Sequence, residues 1–526
     1  MVNDPKAGGQ GGVPETTPVH AEGNGHAPVA PAATQDGGGG AVPPGAAAGG
    51  PPGGGRGGGG RRFGMVDLSQ GSIPKHLWKL SWPQVIESIL NILDQMIDLV
   101  WAGRLPGGHT NIAALGVGQT FTQFGMMARQ GFDTALRAMV SRAVGAGDIR
   151  LANHVVLQAF TLNVVYCIVL VVSGILLTDF LLASIGASDE TVASAGMYMK
   201  VQFVGIATTA IRNMSGAALQ ASGDVITPLK ATSITRIVHI VSSPFLMFGW
   251  LFFPEAGLAG AAWANVASQL AGAVLNYYAL FNGSGRLHLT LKGYHMDLPL
   301  MKRMIGIGAP ASATGTERAI SQVVLMYIVS PFGDVALAAY ALARRVEMFA
   351  NFGSMGFAQA SGIMVGQNLG AKKPERAKKA LQWGLVFVAG FKFIVAIPLL
   401  LIPYLFLMIF TDNKDVLELG SDWLRIMAIT AFFLGWGQVF AQTFNVAGDT
   451  ITVMLVTLAA VLLVEMPMAY VYSHIFGMGP LGVAWAQLTA MVVRAGLFLP
   501  LYFWGRWLRI KVIEGYKMPV GGGGGH

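Results

Sequence analysis

Charge is what this sequence has least of. Only 12% of its 526 residues are Asp, Glu, Lys or Arg, about half the ~25% of a soluble globular protein. A soluble enzyme of this length needs a charged surface that such a composition does not supply. Cysteine is scarcer: Cys167 stands alone in an apolar run, which excludes a disulfide framework and any CxxC metal or redox site. There is no Gly-rich phosphate loop ending in Lys-Ser/Thr, so ATP is not the direct energy source. The ten histidines follow no zinc or haem spacing. The chain therefore reads as a non-enzyme without a cofactor. Aromatic residues are missing from the first sixty positions, which hold 20 Gly and 9 Pro. That segment has no apolar stretch of the kind found in a cleavable signal peptide, and neither end carries a lipidation motif.

Apolar residues supply what is left, at 53% with a mean hydropathy of +0.53. The composition predicts an integral membrane protein whose residues 1–70 form a disordered Gly/Pro-rich tail. Twelve stretches reach the roughly twenty residues needed to cross a bilayer. They run over 79–103, 112–140, 155–183, 192–216, 226–251 and 257–281, then 301–331, 335–365, 381–410, 421–446, 451–474 and 479–504.

The net charge of +8 and pI near 9.5 suggest nucleic acid only until the charges are placed. Lys75, Lys79, Arg142, Arg150, Lys230, Arg286, Lys292, Lys302 and Arg303 fall in alternate loops, as do the 372–379 lysines and the C-terminal Arg506 and Arg509. The opposite loops hold Asp189, Glu190, Glu255, Asp412 and Asp415 with little positive charge beyond Arg104 and Lys414. This positive-inside asymmetry predicts both termini in the cytoplasm and a multi-pass protein of the plasma membrane, or of the inner membrane in a Gram-negative host. Membrane lipid is the expected surrounding, with no nucleic-acid partner.

The halves repeat. Ala113-Ala114 recurs as Ala338-Ala339, Val144-Gly145-Ala146 as Leu369-Gly370-Ala371, and Gly223-Asp224 as Gly448-Asp449, each 225 residues on. Gly260-Ala261-Ala262-Trp263-Ala264 recurs as Gly482-Val483-Ala484-Trp485-Ala486 at 222. Six spans per copy make the copies parallel, related by an axis along the membrane normal, with a central cavity between them. The expected organisation is all-α: a six-helix lobe over 75–285, a cytoplasmic linker over 286–300, a second lobe over 301–510 and a tail over 511–526.

Three segments carry a family resemblance. Val365-Gly366-Gln367-Asn368-Leu369-Gly370-Ala371-Lys372-Lys373-Pro374-Glu375-Arg376-Ala377 resembles the cytoplasmic loop after the eighth helix of the MATE (multidrug and toxic compound extrusion) family. Ala447-Gly448-Asp449-Thr450 is similar to that family's tenth-to-eleventh helix turn, and Ile97-Asp98-Leu99-Val100-Trp101-Ala102-Gly103-Arg104-Leu105 to its first-helix aspartate segment. In order, spacing and duplication the likeness covers about residues 75–505.

The first span is the densest polar element. At 100° per residue, Asp94 and Asp98 fall about 20° to either side of Glu87 around the helix, with Gln84, Asn91 and Gln95 beside them. Three carboxylates on one membrane face must look into the bundle or a wet cavity. There they can exchange protons, coordinate Na⁺ or pair with an organic cation; a packing hydrogen bond is the competing use. The resemblance implies that Asp98 carries the coupling ion and would be the Na⁺ ligand if Na⁺ were used, with Asp94 one turn away. It also marks a departure, because positions where relatives carry Asn and Asp sodium ligands hold His239 and Ser243, and a Thr position holds Asn265. Histidine is a poor alkali-metal ligand and titrates in the physiological range, so H⁺ is favoured over Na⁺.

Other intramembrane candidates are Glu317, beside Arg318, and Glu465, two residues before Pro467. A proline there predicts a kink bordering a cavity. Arg212, Asn213 and Arg236 are candidate partners for the first-span acids, and Glu87, Glu317, Glu465, Arg212 and Asn213 candidate cavity residues. Asp133 and Arg137, spaced i, i+4, are expected to neutralise each other, as are Arg344, Arg345 and Glu347. The expected function is a monomeric cation-coupled antiporter that exports drugs and organic cations by alternating access. The competing readings are a lipid-linked-precursor flippase, which needs several unpaired Arg or Lys in its cavity, and a non-transporting scaffold, which needs no intramembrane acids.

Overall fold

The computed structural model describes residues 68–105, 108–184, 189–251, 254–283, 285–513 and 516. The tail expected over 1–70 lies outside them except for its last three residues, as does most of 511–526. Twelve long helical spans follow in order, and no strand occurs among the described residues. The first six are α1 Ile73–Arg104, α2 Gly108–Gly145, α3 Ile149–Ser184, α4 Asp189–Ser222, α5 Ile226–Phe248 and α6 Gly257–Phe281. The second six begin with α7 Leu298–Val329, α8 Asp334–Gly370 and α9 Pro374–Leu401, which a short α10 Pro403–Met408 follows. Then come α11 Lys414–Ala447, a composite span and α14 Leu481–Trp504.

Seven spans among the described residues are long and apolar enough to cross a membrane by composition alone. The other five, α1, α2, α4, α7 and α8, are 32 to 38 residues long. They carry the polar residues that the fold turns inward. Conversely α3 and α9, each with a hydropathy of 2.4, expose rows of apolar side chains such as Val165, Ile168, Val172 and Leu176, or Phe393, Ile394 and Ile397. These are outer helices with one face for lipid.

Two spans depart from the sequence expectation. The sequence predicts one ninth span over 381–410, but the chain leaves the helix at Ile402 and restarts as α10 with Pro403 at its first turn. Proline supplies no N–H to a continuing helix, yet suits a helix start. The eleventh loses regular α geometry around Pro467 through two π-helical stretches. α12 Thr450–Leu458 passes into π geometry over Ala459–Glu465, then α13 Met466–Tyr470, then π geometry again over Val471–Ile475. An i→i+5 pattern ahead of a proline absorbs the hydrogen bond that the ring removes.

The repeat becomes physical where α2 and α8 end. Gly145 packs so closely on the Gln367 backbone that a Cβ would collide with its carbonyl, and Gly370 packs in the same way on the Arg142 carbonyl. The Arg142 guanidinium donates to the Ala447 carbonyl (2.9 Å) and the Gln367 side-chain amide to the Ala221 carbonyl (2.8 Å). Residues 142 and 367, like 145 and 370, are repeat equivalents. The glycine contacts are thus one contact seen twice about a pseudo-two-fold axis, while the acceptors Ala221 and Ala447 differ from that register by one residue.

The basic turn after α8 has partners within the chain. Lys373 Nζ donates to the Ser69 carbonyl (2.9 Å), and the Arg376 guanidinium to the carbonyls of Leu68 and Gln70 (3.4 and 2.7 Å). This holds the chain just before α1 against the second set of helices.

Close packing at the pseudo-two-fold predicts a steric penalty. Gly145→Ala and Gly370→Ala should each cost about 1–3 kcal/mol, seen as a lower thermal midpoint of the full chain in detergent. Gly390→Ala, where a Cβ meets open space, should leave that midpoint unchanged or higher.

Candidate functional site: a polar ladder between two helices

α1 and α5 run parallel and carry matching polar rows. Glu87, Asn91 and Asp94 follow a four–three spacing on α1; Thr232, Arg236 and His239 follow the same spacing on α5. A four–three spacing keeps side chains on one helical face, so the rows meet rung by rung at a constant offset of 145. Thr232 Oγ1 donates to Glu87 Oε1 at 2.9 Å. Arg236 Nη2 donates to Asn91 Oδ1 at 2.6 Å, and its Nη1 pairs with Asp94 Oδ2. His239 Nδ1 bonds Asp94 Oδ1 at 2.7 Å. Asp94, Arg236 and His239 are buried, so both oxygens of the Asp94 carboxylate are engaged by N–H groups away from water.

The lower rung continues into α4 and α6. Arg212, 4% exposed, donates from Nη1 to Thr232 Oγ1 (2.8 Å), from Nε to Gln269 Oε1 (2.6 Å) and from Nη2 to Asn213 Oδ1 (2.7 Å). It stands 4.0 Å from Glu87. Gln269 in turn donates to Asn265 Oδ1 at 3.0 Å. Glu87 Oε2 also accepts from Gln220 Nε2 (3.1 Å), whose Oε1 accepts from Arg137 (2.7 Å). A cavity of about 190 Å³ opens beside this rung, lined by Glu87, Asp133, Arg137, Arg212 and Asn213, and by Gln359 of α8.

The sequence candidates therefore separate. Asp94 and His239 meet, with Arg236 as the partner foreseen for a first-span acid. Glu87, Arg212 and Asn213 line one cavity. Asn265 joins the Arg212 end through Gln269 rather than the Asp94 pair. The side chains of Asp98 and Gln95 lie outside the described residues. The expected Asp133–Arg137 pair does not form. Asp133 takes Arg129, one turn the other way, at 2.5 Å, and Arg137 is drawn to Gln220 on α4. Sequence spacing allows both partners, and the neighbouring helix decides between them.

Glu317 and Glu465 are buried but do not line that cavity. They belong to the second six helices, where the buried Arg494 lies within electrostatic reach of both. Nearby Arg344 pairs with Glu347 as expected, at 2.7 Å. The sequence reading passed over Lys392, fully buried in α9, which donates to the Ala350 carbonyl (3.2 Å) and to Asn351 Oδ1. A lone Lys between Phe391 and Phe393 was its visible signal. For Thr232 and Gln220 the signal was weaker; only pairing the four–three rows of α1 and α5 finds Thr232.

Helices of membrane-spanning length with charged groups paired among them make a multi-pass membrane protein. The chain belongs to the MatE family, whose model matches residues 83–245 and 310–471, one match in each half. The probable multidrug resistance protein NorM of Thermotoga maritima is 25% identical over 449 residues, covering 84% of this chain and 94% of that protein. A FAD transporter of Shewanella oneidensis is 24% identical over 421 residues, 79% and 91% of the two chains. The fold matches an outward-facing multidrug resistance MATE family transporter with a TM-score of 0.79 at 20% identity, covering 85% of this chain and all of that one. The family architecture is twelve transmembrane helices in two repeats, as the sequence predicted.

Removing one member of the Asp94–Arg236 pair should leave a buried charge without its partner. Arg236→Met should destabilise the chain by about 3–5 kcal/mol. Asp94→Asn combined with Arg236→Met should regain most of that loss, measured as the coupling term of a thermal-unfolding double-mutant cycle.

Proposed function

We propose that this chain is a proton-coupled antiporter that exports drugs and organic cations by alternating access between two six-helix lobes, 75–285 and 301–510, joined by the linker 286–300. The chain acts as a monomer with both termini in the cytoplasm and needs no cofactor beyond its coupling ion. Two of the relatives support the export of small molecules. The observation that carries the coupling is the Asp94 carboxylate, held on both oxygens by His239 and Arg236.

Na⁺ needs a cage of oxygen ligands, and a carboxylate already saturated by N–H donors offers a poor one. A proton needs only one acceptor in the chain of groups. A proton taken up by the Asp94–His239 pair cancels the negative charge that holds Arg236, so the α1–α5 ladder loosens at its middle rung. Asp98, one turn further along α1 in the sequence, is the second coupling carboxylate of this proposal. Cargo would bind at the Glu87 cavity, where two acids and two guanidiniums give a dipolar lining suited to varied amphipathic molecules. A flippase for pyrophosphate-linked lipids is disfavoured because Arg137, Arg212 and Arg236 each donate to a protein acceptor.

Full-length protein in liposomes, with a cationic dye as cargo, tests this reading. An imposed proton gradient should drive dye movement. Asp94→Asn and Asp98→Asn should each reduce the driven rate by about a hundredfold, within the 10²–10⁴ range typical of a lost proton-transfer group. Movement driven by a Na⁺ gradient alone, indifferent to the proton gradient, would sink the assignment.

A further inference from the structure

A second polar cluster sits far from the ladder in sequence, where the linker between the helix sets lies against α3. Three ligand-type groups converge there: His154 near the start of α3, with His295 and Asp297 at the end of the linker. Their nearest ligand atoms all lie within 4.8 Å of one another. His154 Nε2 is 3.1 Å from Asp297 Oδ2, and the two imidazole rings lie 5.0 Å apart. The Asp297 side chain is 1% exposed and that of His154 11%.

A His154–Asp297 hydrogen bond by itself would be a plain structural latch. It leaves one atom without a role: His295 Nε2 is buried with no hydrogen-bond partner. An unmet buried nitrogen carries the full desolvation cost of the group. The other ring nitrogen, Nδ1, is 3.3 Å from the Gly293 carbonyl. A carbonyl can only accept, so this bond puts the proton on Nδ1 and leaves a lone pair on Nε2. That is how metal-binding imidazoles are set by a backbone carbonyl.

The surrounding bonds brace the other groups similarly. Asp297 Oδ1 accepts from the Leu300 amide (3.0 Å), leaving Oδ2 for the cluster. Gln158 of α3 grips the segment at two points, donating to the His295 carbonyl (2.6 Å) and accepting from the Asp297 amide (3.1 Å).

We propose that His154, His295 and Asp297 form a binding site for a borderline divalent transition metal such as Zn²⁺ or Co²⁺. The ligand atoms are His154 Nε2, His295 Nε2 and Asp297 Oδ2, and water completes the shell. Two imidazoles select against Mg²⁺ and Ca²⁺, which prefer oxygen. Two nitrogens and a carboxylate suit Zn²⁺ or Co²⁺ once the groups draw together around bonds of roughly 2.0–2.2 Å. Asp297 is also the residue that caps the start of α7. A bound metal would therefore staple the first helix of the second set to α3 of the first, across the linker that joins them.

Full-length protein purified without a histidine tag tests the site by Co²⁺ titration in visible absorption. The wild type should gain d–d bands that saturate at one equivalent of Co²⁺ and disappear when Zn²⁺ is added. His295→Ala and His154→Ala should lose the bands. Gln158→Ala, which removes only the brace, should weaken binding by about 10–100-fold. Since His295 Nε2 bonds nothing, His295→Ala should keep the wild-type elution profile and thermal midpoint in the absence of metal. Zn²⁺ should slow tryptic cleavage at Arg286 and Lys292 in the wild type and leave it unchanged in His295→Ala. A wild type without d–d bands, or a His295→Ala variant that titrates like it, would overturn the site. Cleavage indifferent to Zn²⁺ would overturn the staple.

Discussion

The α1–α5 ladder is the constraint on which the interior depends. Three carboxylates in the first span are tolerable in a membrane only if other helices bring donors to them, because lipid offers none. For two of them those donors are Thr232, Arg236 and His239, spaced to match Glu87, Asn91 and Asp94 rung for rung. A one-residue slip of α5 would turn its polar row by about 100° and leave every rung unmet. The register of two helices, and through Arg212 the placement of α4 and α6, is therefore fixed by polar matching as much as by apolar packing. That packing is left to the small residues, such as Gly260 against the α5 backbone and Gly272 against Thr235.

The repeat motif has a separate cause. Val144-Gly145-Ala146 and Leu369-Gly370-Ala371 are alike because each glycine sits on the backbone of the other copy. Both copies must present the same surface to make one symmetric contact. The interior obeys no such rule. The first set buries Asp94 of α1 with Arg212 and Arg236, while the second buries Lys392, Arg494, Glu317 and Glu465 on α9, α14, α7 and the eleventh span. The symmetry thus belongs to the surface where the sets meet, and the chemistry to what each set encloses.

Composition, loop charges and the 225-residue offset made the helix count and the repeat legible, because hydropathy and charge are averages that survive errors in any single residue. The α1 acids were legible too, since charge inside an apolar span has few explanations. Pairing was harder. Asp133 has basic residues four positions away on both sides, and the choice of Arg129 follows from Gln220 on α4 claiming Arg137. Lys392 was missed because hydropathy averaged over span nine hides one charge among apolar neighbours. Ile402, where that span breaks, was hidden for the same reason. The His154–His295–Asp297 cluster has no sequence signature, because 140 residues separate His154 from His295 and only the fold closes that distance.

The ladder also ties two rigid elements together at several points. Glu87, Asn91 and Asp94 lie on one rigid helix, and so do Thr232, Arg236 and His239, so a change at one rung is carried to the others without a flexible intermediary. The Asp94 rung is the one where full charges meet out of water, and there the presence or absence of a single proton changes the interaction most. The lower rung joins Glu87 to the neutral donors Thr232 and Gln220, with the Arg212 guanidinium 4.0 Å away, and opens on the cavity. Under the proposed proton coupling, loosening the charged rung would free the helices to shift, and the Glu87 rung would carry that shift to the cavity wall. The four–three spacing on α1 and α5 thereby joins the Asp94 pair to the residues that line the Glu87 cavity.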